Sequence, residues 1–242
     1  NTLYPMDGYP IRLQDEFNEE YSRDIEPMKG GYGDAYYMHL ISFVRRFKGM
    51  EKPVEESKKH TVDIKSGFAD WTDVELTYRE YTGDTAPRYF KGYDAAGIYE
   101  NNTGRNEFDI LKVAADDENV YFYAKCTNEI KTGEKPMMLF LNTKNNAPSS
   151  WNGYDFAVSF DVAKQTAQLK KCGKDGEFVW DTVCDTEYLC SGKELHVKIP
   201  KSVIGIEGDS FSFEFKWSDN MQENDIMDFY VNGDAAPRGR LN

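Results

Sequence analysis

Hydrophobic and polar residues change their spacing along the chain near residue 60. In residues 33–49, apolar side chains recur at intervals of three and four, which predicts an amphipathic α-helix. Asp34 is placed to cap the start of this helix, and Gly49 is placed to end it. Residues 50–60 are polar and contain a proline, which is typical of a linker. The pattern therefore predicts one N-terminal α-helix followed by a linker.

After residue 60, apolar and polar residues alternate in short runs, as in β-strands that rest one face on a core. Turn-forming residues such as Asn, Gly, Asp and Pro separate the runs. Many short strands at this spacing predict a mainly β protein, an antiparallel β-sandwich of the jelly-roll or immunoglobulin-like kind. The clearest runs are 109–115, 119–126, 137–143, 154–160, 166–172, 177–183, 194–199 and 210–217.

The alternation also assigns side chains to the two faces of each strand. Every second residue of the run at 210–217 is aromatic, and we expect this aromatic face to lie on the core together with Trp180. The same argument places Tyr121 and Tyr123 on an outer face. The aromatic residues that share the expected core face of the last run are Phe211, Phe213, Phe215 and Trp217.

Charge and composition exclude several classes of partner. The chain has 242 residues and a formal net charge of −13, which argues against binding to nucleic acids or to anionic membrane surfaces. It contains no run of apolar residues long enough for a transmembrane helix. Its 16 Tyr and 15 Phe are typical of extracellular β-proteins that use aromatic faces for packing or for ligands.

The four cysteines do not form a zinc-binding pattern, because no C-x-x-C pair occurs and the chain has only three histidines. Their spacing allows a disulfide between Cys172 and Cys184 or between Cys172 and Cys190. Free, buried thiols are the alternative, since cysteine is often a small core residue. The cysteines are Cys126, Cys172, Cys184 and Cys190.

Three segments resemble family 9 carbohydrate-binding modules and their relatives. ELHVKIPKSVIGI (194–206) resembles a strand followed by a one-turn helix in that family, and GRNEFDILKVAADDENVYFYAKC (104–126) resembles its paired central strands. The segment 210–242 resembles the closing part of such domains in secreted bacterial proteins that degrade polysaccharides. The resemblance spans residues 60–242 and implies a carbohydrate-binding β-sandwich.

A fourth segment, residues 15–49, resembles the last loop and last helix of a glycoside-hydrolase-like (β/α)8 barrel. A complete barrel needs about 250 residues, so this chain has no room for one beside the sandwich. The resemblance implies a C-terminal piece of a longer protein, and the alternative is that the helix packs on the sandwich. We expect residues 1–58 to be an irregular arm, a helix and a linker that follow an upstream catalytic barrel, and residues 59–242 to be the carbohydrate-binding-module-like sandwich.

Two tryptophans are candidates for sugar binding. Such modules stack flat aromatic side chains on sugar rings, and in family 9 modules two tryptophans commonly clamp the sugar, which the resemblance extends to Trp71 and Trp151. Both have polar neighbours, and Trp151 lies in the loop-like APSSWNG. The alternatives are packing at the start of the domain for Trp71 and plugging of the sandwich edge for Trp151.

Arg105 and Asn106 match the polar turn that precedes a central strand in the family. Their side chains suit hydrogen bonds with sugar hydroxyls, so both are candidate carbohydrate-binding residues. The alternative is stabilisation of the turn, or an internal ion pair of Arg105 with Glu107 or Asp109.

The acidic stretch at 219–228 is a candidate calcium site. Calcium binds six to eight oxygen atoms, and carboxylates of Asp219, Asp225 and Asp228 would supply part of the set. The resemblance also implies structural calcium, although the order of ligands found in EF-hands is absent. The alternative is a solvated turn, followed by a last strand at 226–232.

Together these features predict a non-catalytic accessory domain that binds a polysaccharide or oligosaccharide, is secreted from a bacterium to the cell surface or the extracellular space, and works beside the catalytic domain upstream. Two alternatives stay open. The chain could complete the active site of a glycoside hydrolase, where Asp24 and Glu26 would lie in the last barrel loop. It could also be a structural spacer without a ligand, which burial of all four tryptophans would favour.

Overall fold

The computed structural model describes residues 58–80, 82–83, 85–91, 97–143, 147–208 and 210–237, together with Phe43, Val44, Phe47 and Gly49. The chain divides into two compact units, Asn1–Pro53 with Gly239–Asn242, and Val54–Arg238. The fold below is that of the second unit. The helix predicted at 33–49 lies outside the described residues except at Phe43, Val44 and Phe47, which are helical. Asp24 and Glu26 also lie outside them.

The described residues of the second unit form strands with two short helical turns. The helical turns are a 3-10 helix at Ala69–Trp71 and a one-turn helix, α1, at Asp228–Val231. No helix among the described residues is long and apolar enough to span a membrane. The strands are β1 (Thr77–Arg79), β2 (Arg88–Lys91), β3 (Ile98–Asn101), β4 (Phe108–Ala115), β5 (Asn119–Cys126), β6 (Met137–Asn142), β7 (Phe156–Asp161), β8 (Thr166–Cys172), β9 (Trp180–Asp185), β10 (Glu187–Ser191), β11 (Glu194–Pro200), β12 (Glu214–Asp219) and β13 (Asp234–Ala236).

These strands form two main antiparallel sheets and a separate ribbon. The five-stranded sheet has the order β1-β4-β5-β11-β10, and the six-stranded sheet has the order β13-β12-β6-β7-β8-β9. Among the described strands, β2 and β3 pair with each other and with no third strand. The prediction of a mainly β, antiparallel protein is confirmed, and the two sheets are consistent with a sandwich.

The main core consists of inward side chains from both sheets. Phe122 of β5, Phe160 of β7 and Trp217 of β12 belong to it and are at most 2% exposed. The ring centroids of Phe160 and Trp217 lie 5.4 Å apart in a stacked arrangement. The predicted core face of the last run is therefore confirmed, because Phe211, Phe213 and Phe215 pack against the same cluster.

Two tyrosines predicted on an outer face do point outward, but they are not exposed. Tyr121 and Tyr123 are 1% and 5% exposed, because residues 58–74 lie over this face of the five-stranded sheet. We call residues 58–74 the covering segment. Its apolar side chains Val62, Ile64, Trp71 and Val74 are buried against the sheet.

A second apolar cluster lies on the outer face of the six-stranded sheet. Phe140 of β6 is its centre and is fully buried. Trp180, expected in the main core, packs here instead, 5.7 Å from the Phe140 ring. The expectation was wrong because the pairing of β8 with β9 shifts register between Leu169 and Lys170, so Trp180 lies on the opposite face of the sheet from Cys184, which packs against the main core. We call this group the aromatic cluster, and it comprises Met138, Phe140, Trp151, Tyr154, Ala157, Cys172, Phe178, Trp180, Met221, Ile226, Phe229 and Ala235.

The last strand predicted at 226–232 is wrong, since α1 occupies that place and the last strand is β13. The Asp228 carboxylate accepts hydrogen bonds from backbone N–H groups of Gln222, Glu223 and Asp225, which closes the chain into a compact turn. Gly233 then takes a φ of +56° and directs the chain into β13.

All four cysteines are free thiols in the structure, so neither predicted disulfide is present. Cys126 and Cys172 are buried, whereas Cys184 and Cys190 are partly exposed. Burial raises the pKa of Cys190 to about 11 and raises the pKa of Cys126 further. Thiols of this kind are weak nucleophiles at neutral pH and act as small apolar residues.

Candidate functional site

Trp71, which was expected to be exposed, is buried between the covering segment and the five-stranded sheet. The 3-10 helix of the covering segment turns its indole against the five-stranded sheet, where the ring lies 5.1 Å from that of Tyr123 and is 2% exposed. The predicted stacking of a sugar on Trp71 is contradicted by this burial. The alternative of packing at the start of the domain describes its position correctly.

The indole N–H of Trp71 donates a hydrogen bond to Nδ1 of His196, at 2.9 Å. Because Nδ1 accepts, Nε2 carries the proton of the neutral imidazole and donates to the carbonyl oxygen of Ile64, at 3.1 Å. Burial lowers the pKa of His196, against smaller effects in the other direction from the Ile64 carbonyl and nearby acids. This histidine joins the covering segment to β11 and is a structural residue.

Trp151 is equally unsuited to stack on a ligand, since it is 3% exposed inside the aromatic cluster. Its ring lies 5.0 Å from Phe178, 5.3 Å from Phe140 and 5.8 Å from Phe229. A bridge between Trp151 and Tyr154 holds the loop in place over the sheet. The predicted clamp of two tryptophans is therefore not present, because each covers the outer face of a different sheet.

Arg105 forms an internal ion pair, but with a partner far away in the sequence. Its guanidinium binds both carboxylate oxygens of Asp219, with Nε at 2.9 Å from Oδ2, and donates to the carbonyl oxygen of Lys135 at 2.6 Å. The side chain of Asp219 is fully buried and that of Arg105 is 14% exposed. The ion pair expected with Glu107 or Asp109 is thus made with Asp219 instead.

Asn106 holds the same region by two further hydrogen bonds. Its side-chain amide donates to the carbonyl oxygen of Lys131 at 2.9 Å, and its Oδ1 accepts from the N–H of Lys131 at 2.8 Å. We call residues 130–136, which precede β6, the wall segment. Arg105 and Asn106 therefore hold the wall segment by hydrogen bonds to its backbone, in agreement with the alternative that they stabilise a turn.

The three acids predicted to bind calcium are not brought together as a site. Asp219 binds Arg105, Asp228 accepts backbone N–H groups of its own turn, and Asp225 accepts the N–H of Met227 at 2.8 Å. Within the described ranges, no three His, Cys, Asp or Glu side chains are arranged to hold a metal ion. The hydrogen bonds that these carboxylates already accept explain their positions.

An open cavity of about 750 Å³ lies beside the wall segment. We call it the polar groove. Its floor includes Ser159 of β7 and Gln168 and Lys170 of β8, which lie in the outward phase because Val158, Phe160, Ala167 and Leu169 belong to the main core. Arg105 also lines the polar groove, together with Lys131, Thr132 and Glu134 of the wall segment.

The polar groove and the aromatic cluster share one sheet face. On β7, Ala157 belongs to the aromatic cluster and Ser159 belongs to the polar groove, and on β8 Cys172 and Lys170 divide in the same way. The outer face of this sheet is thus apolar and covered toward one end of these strands, and polar and open toward the other.

The charges in the polar groove are only partly paired. Lys164 lies 2.9 Å from Asp161, and Arg105 is bound to Asp219. Lys131, Lys170 and Glu134 form no salt bridge with the residues that the structure describes. Side chains that donate and accept hydrogen bonds, with two lysines and one carboxylate available, suit a polar ligand rather than an apolar one.

The sequence pointed to Arg105 and Asn106, which hold the wall segment, but not to the residues that form the floor of the polar groove. Arg105 and Asn106 were singled out, whereas the floor residues were not, although the alternation at 154–160 already placed Ser159 outward. The polar outward positions of β8 carried the same signal. Two exposed aromatic residues of β2 were also missed, Tyr89 and Phe90, which are 70% and 54% exposed.

Comparisons with family models, with curated proteins and with solved structures found no match for this chain.

Proposed function

We propose that this chain is a non-catalytic carbohydrate-binding domain whose ligand lies in the polar groove. The observation that carries the proposal is an open cavity of about 750 Å³ on the outer face of a β-sheet, whose lining combines charged and hydrogen-bonding side chains with apolar ones. A volume of this size is within the range of small-molecule sites, about 300–1,000 Å³. The polar groove replaces the two buried tryptophans as the candidate binding surface.

The chemistry of the lining supports a sugar ligand. Ser159, Thr132 and Gln168 offer hydroxyl and amide groups that both donate and accept hydrogen bonds, which is what sugar hydroxyls require. Such a site binds through several modest contacts, and we expect dissociation constants between about 1 mM and 1 μM, or about −4 to −8 kcal/mol.

The proposed setting follows the resemblance to family 9 carbohydrate-binding modules. In this proposal the sandwich has the jelly-roll or immunoglobulin-like form, is secreted by a bacterium and holds a catalytic domain of the same protein near its polysaccharide. Structural calcium is left out of the proposal, because Asp219, Asp225 and Asp228 each accept separate hydrogen bonds.

The test is a glycan array followed by calorimetric titration of any ligand that binds. Ser159→Trp fills the polar groove from its floor and is expected to weaken binding at least about tenfold, since it displaces ligand from the cavity. Ser191→Trp, an exposed serine of β10 in the other sheet, is the matched control and should bind normally. Equal binding by both variants and the wild type would move the ligand away from this groove, and no binding to any glycan would overturn the proposal.

A structural spacer without a ligand is the second candidate. It is favoured by one observation, that Trp71, Trp151 and Trp217 are at most 3% exposed and Trp180 packs in the aromatic cluster. A spacer should bind no glycan on the array, and Ser159→Trp should change neither its stability nor any binding property.

A further inference from the structure

We propose that the polar groove selects sugars that carry an anionic group, a carboxylate or a sulfate ester, and that Lys131 and Lys170 are the residues that recognise it. This inference rests on the proposed function, because it names the class of glycan bound at the same site.

The first argument is the balance of charge within the polar groove. The protein as a whole is strongly acidic, with a net charge of −13. Inside the polar groove, Arg105 is neutralised by Asp219 and Lys164 by Asp161. Two lysines then face a single carboxylate, that of Glu134. The polar groove is therefore a cationic surface on an acidic molecule, which attracts anions locally while the rest of the surface repels them.

The second argument is that both lysines are held at fixed places. Lys131 has its backbone N–H and carbonyl oxygen both bound by the side chain of the buried Asn106. Lys170 lies within β8, where its strand partners are Ala157 and Thr182, neither of which is charged. A ligand therefore does not have to order the backbone of either lysine, which lowers the cost of binding.

The third argument concerns the kind of anion. The two lysines lie in a wide cavity beside Ser159 and Gln168, so a charged group can reach an ammonium while neighbouring hydroxyls reach uncharged partners. A sugar ring with one anionic substituent has this mixture of groups. Lysine ammonium groups act as point charges and do not demand the planar geometry that an arginine fork imposes.

The experiment is calorimetric titration of the full chain with three soluble oligosaccharides of similar length. These are a galacturonate oligosaccharide, its methyl ester, which is uncharged, and a sulfated galactose oligosaccharide. We expect at least one anionic oligosaccharide to bind about five- to tenfold more tightly than the methyl ester at low ionic strength, and this preference should shrink as salt screens the charges. The carboxylate and sulfate arms identify which group is preferred.

Charge variants give effects of opposite sign. Lys131→Met and Lys170→Met should each weaken binding of the anionic oligosaccharide about threefold, and Glu134→Gln should strengthen it about twofold, because exposed charges contribute modestly. None of the three should change binding of the methyl ester by as much. Lys171→Met is the matched control, since this neighbouring lysine of β8 does not line the polar groove and should leave binding unchanged.

The outcomes separate this inference from the proposed function. Equal affinity for charged and uncharged oligosaccharides would overturn the inference and leave a carbohydrate-binding groove. Loss of the anionic preference in Lys171→Met but not in Lys170→Met would also overturn it. Failure of all three oligosaccharides to bind would overturn the inference, whereas the proposed function is overturned only if no glycan on the array binds either.

Discussion

The outer faces of the two sheets differ in what covers them. On the five-stranded sheet, Tyr121 and Tyr123 lie beneath the covering segment, whose Trp71 is joined to the sheet through His196. On the six-stranded sheet, the aromatic cluster covers one part, and the polar groove leaves another part open. Each face has buried a tryptophan that the sequence made a candidate for binding.

This difference teaches that the outward phase of a strand and its exposure are separate properties. Tyr121 and Tyr123 of β5 point outward but are as buried as core residues, because the covering segment packs on them. Outward residues on β7 change from Ala157 to Ser159 where the cover ends. On β7, therefore, the change from an apolar to a polar outward residue marks where the open surface begins.

The largest expected effect comes from removing the link between the covering segment and its sheet. Trp71→Ala should lower the free energy of unfolding by about 3–5 kcal/mol through lost packing, and by a further ~1–3 kcal/mol because Nδ1 of the buried His196 loses its donor. Trp151→Ala loses packing alone and should cost about 3–5 kcal/mol. Urea-induced unfolding of the two variants measures the difference.

If Trp151→Ala lowered the free energy of unfolding more than Trp71→Ala does, the hydrogen bond between Trp71 and His196 would not add the stability expected of it. Lys171→Ala, a substitution at an exposed position, should stay within about 0.5 kcal/mol of the wild type and serves as the control.

A second large effect is expected beneath the polar groove. Arg105→Met removes the partner of the fully buried Asp219 carboxylate and should cost about 3–5 kcal/mol. The double variant Arg105→Met with Asp219→Leu removes the charge that was left behind and should recover much of this loss. Thermal and chemical unfolding of the single and double variants form the test. A double variant as unstable as the single one would contradict the buried ion pair as the cause.

A smaller effect on the free energy of unfolding should depend on pH and come from His196, which is buried beneath the covering segment. The pKa of His196 is lowered in the folded protein, so the unfolded chain binds more protons as pH falls below the ordinary histidine value of about 6.5. The folded state should therefore be fully favoured by this group above that pH and lose at most about 1.4 kcal/mol per pH unit below it, until the folded pKa is reached.

His196→Gln preserves one donor and one acceptor and should remove this part of the pH dependence. The measurement is the free energy of unfolding between pH 7.5 and 5.5 (values about the histidine range) for the wild type and the variant. Parallel curves for the two proteins would show that His196 does not titrate as the geometry requires.

The smallest effect on stability is expected at the open part of the six-stranded sheet. Lys170→Met in β8, and Tyr89→Ala on the separate β2–β3 ribbon as an exposed reference, should each stay within about 0.5 kcal/mol of the wild type, because neither side chain is tightly packed. Differential scanning calorimetry is sufficient to test this. A loss comparable to that of Trp151→Ala would mean that the polar groove is part of the packed structure and not an open site.

Local patterns predicted the strands well, because alternation over six or seven residues reports directly on which side chains meet a core. The aromatic face ending at Trp217 was assigned correctly for this reason. The packing of the covering segment on its sheet could not be predicted from such local patterns. Its contact between Trp71 and His196 joins residues that are 125 positions apart in the chain. A tryptophan with polar sequence neighbours can still be buried by residues that are distant in sequence.

The candidate site, too, could be predicted only where the evidence is local in the sequence. The importance of Arg105 and Asn106 could be predicted from their turn, but not their partners, because Asp219 is 114 positions away. The segment at 226–232 was predicted to be the last strand, yet the hydrogen bonds accepted by Asp228 favour a one-turn helix. Side-chain capping of this kind competes with strand formation and is weakly visible in a pattern of apolar residues.

The lengths of the sheet edges bear on how this domain behaves beside other copies of itself. At one edge of each sheet stands a strand of only three residues, β1 or β13, and the opposite edge of the six-stranded sheet, β9, carries Asp181 and Asp185 beside a bulge in its pairing with β8. Short, bulged or charged edges offer few free backbone groups for a neighbouring strand to pair with. At these three edges, β1, β13 and β9, the strands of a neighbouring copy therefore find little to pair with.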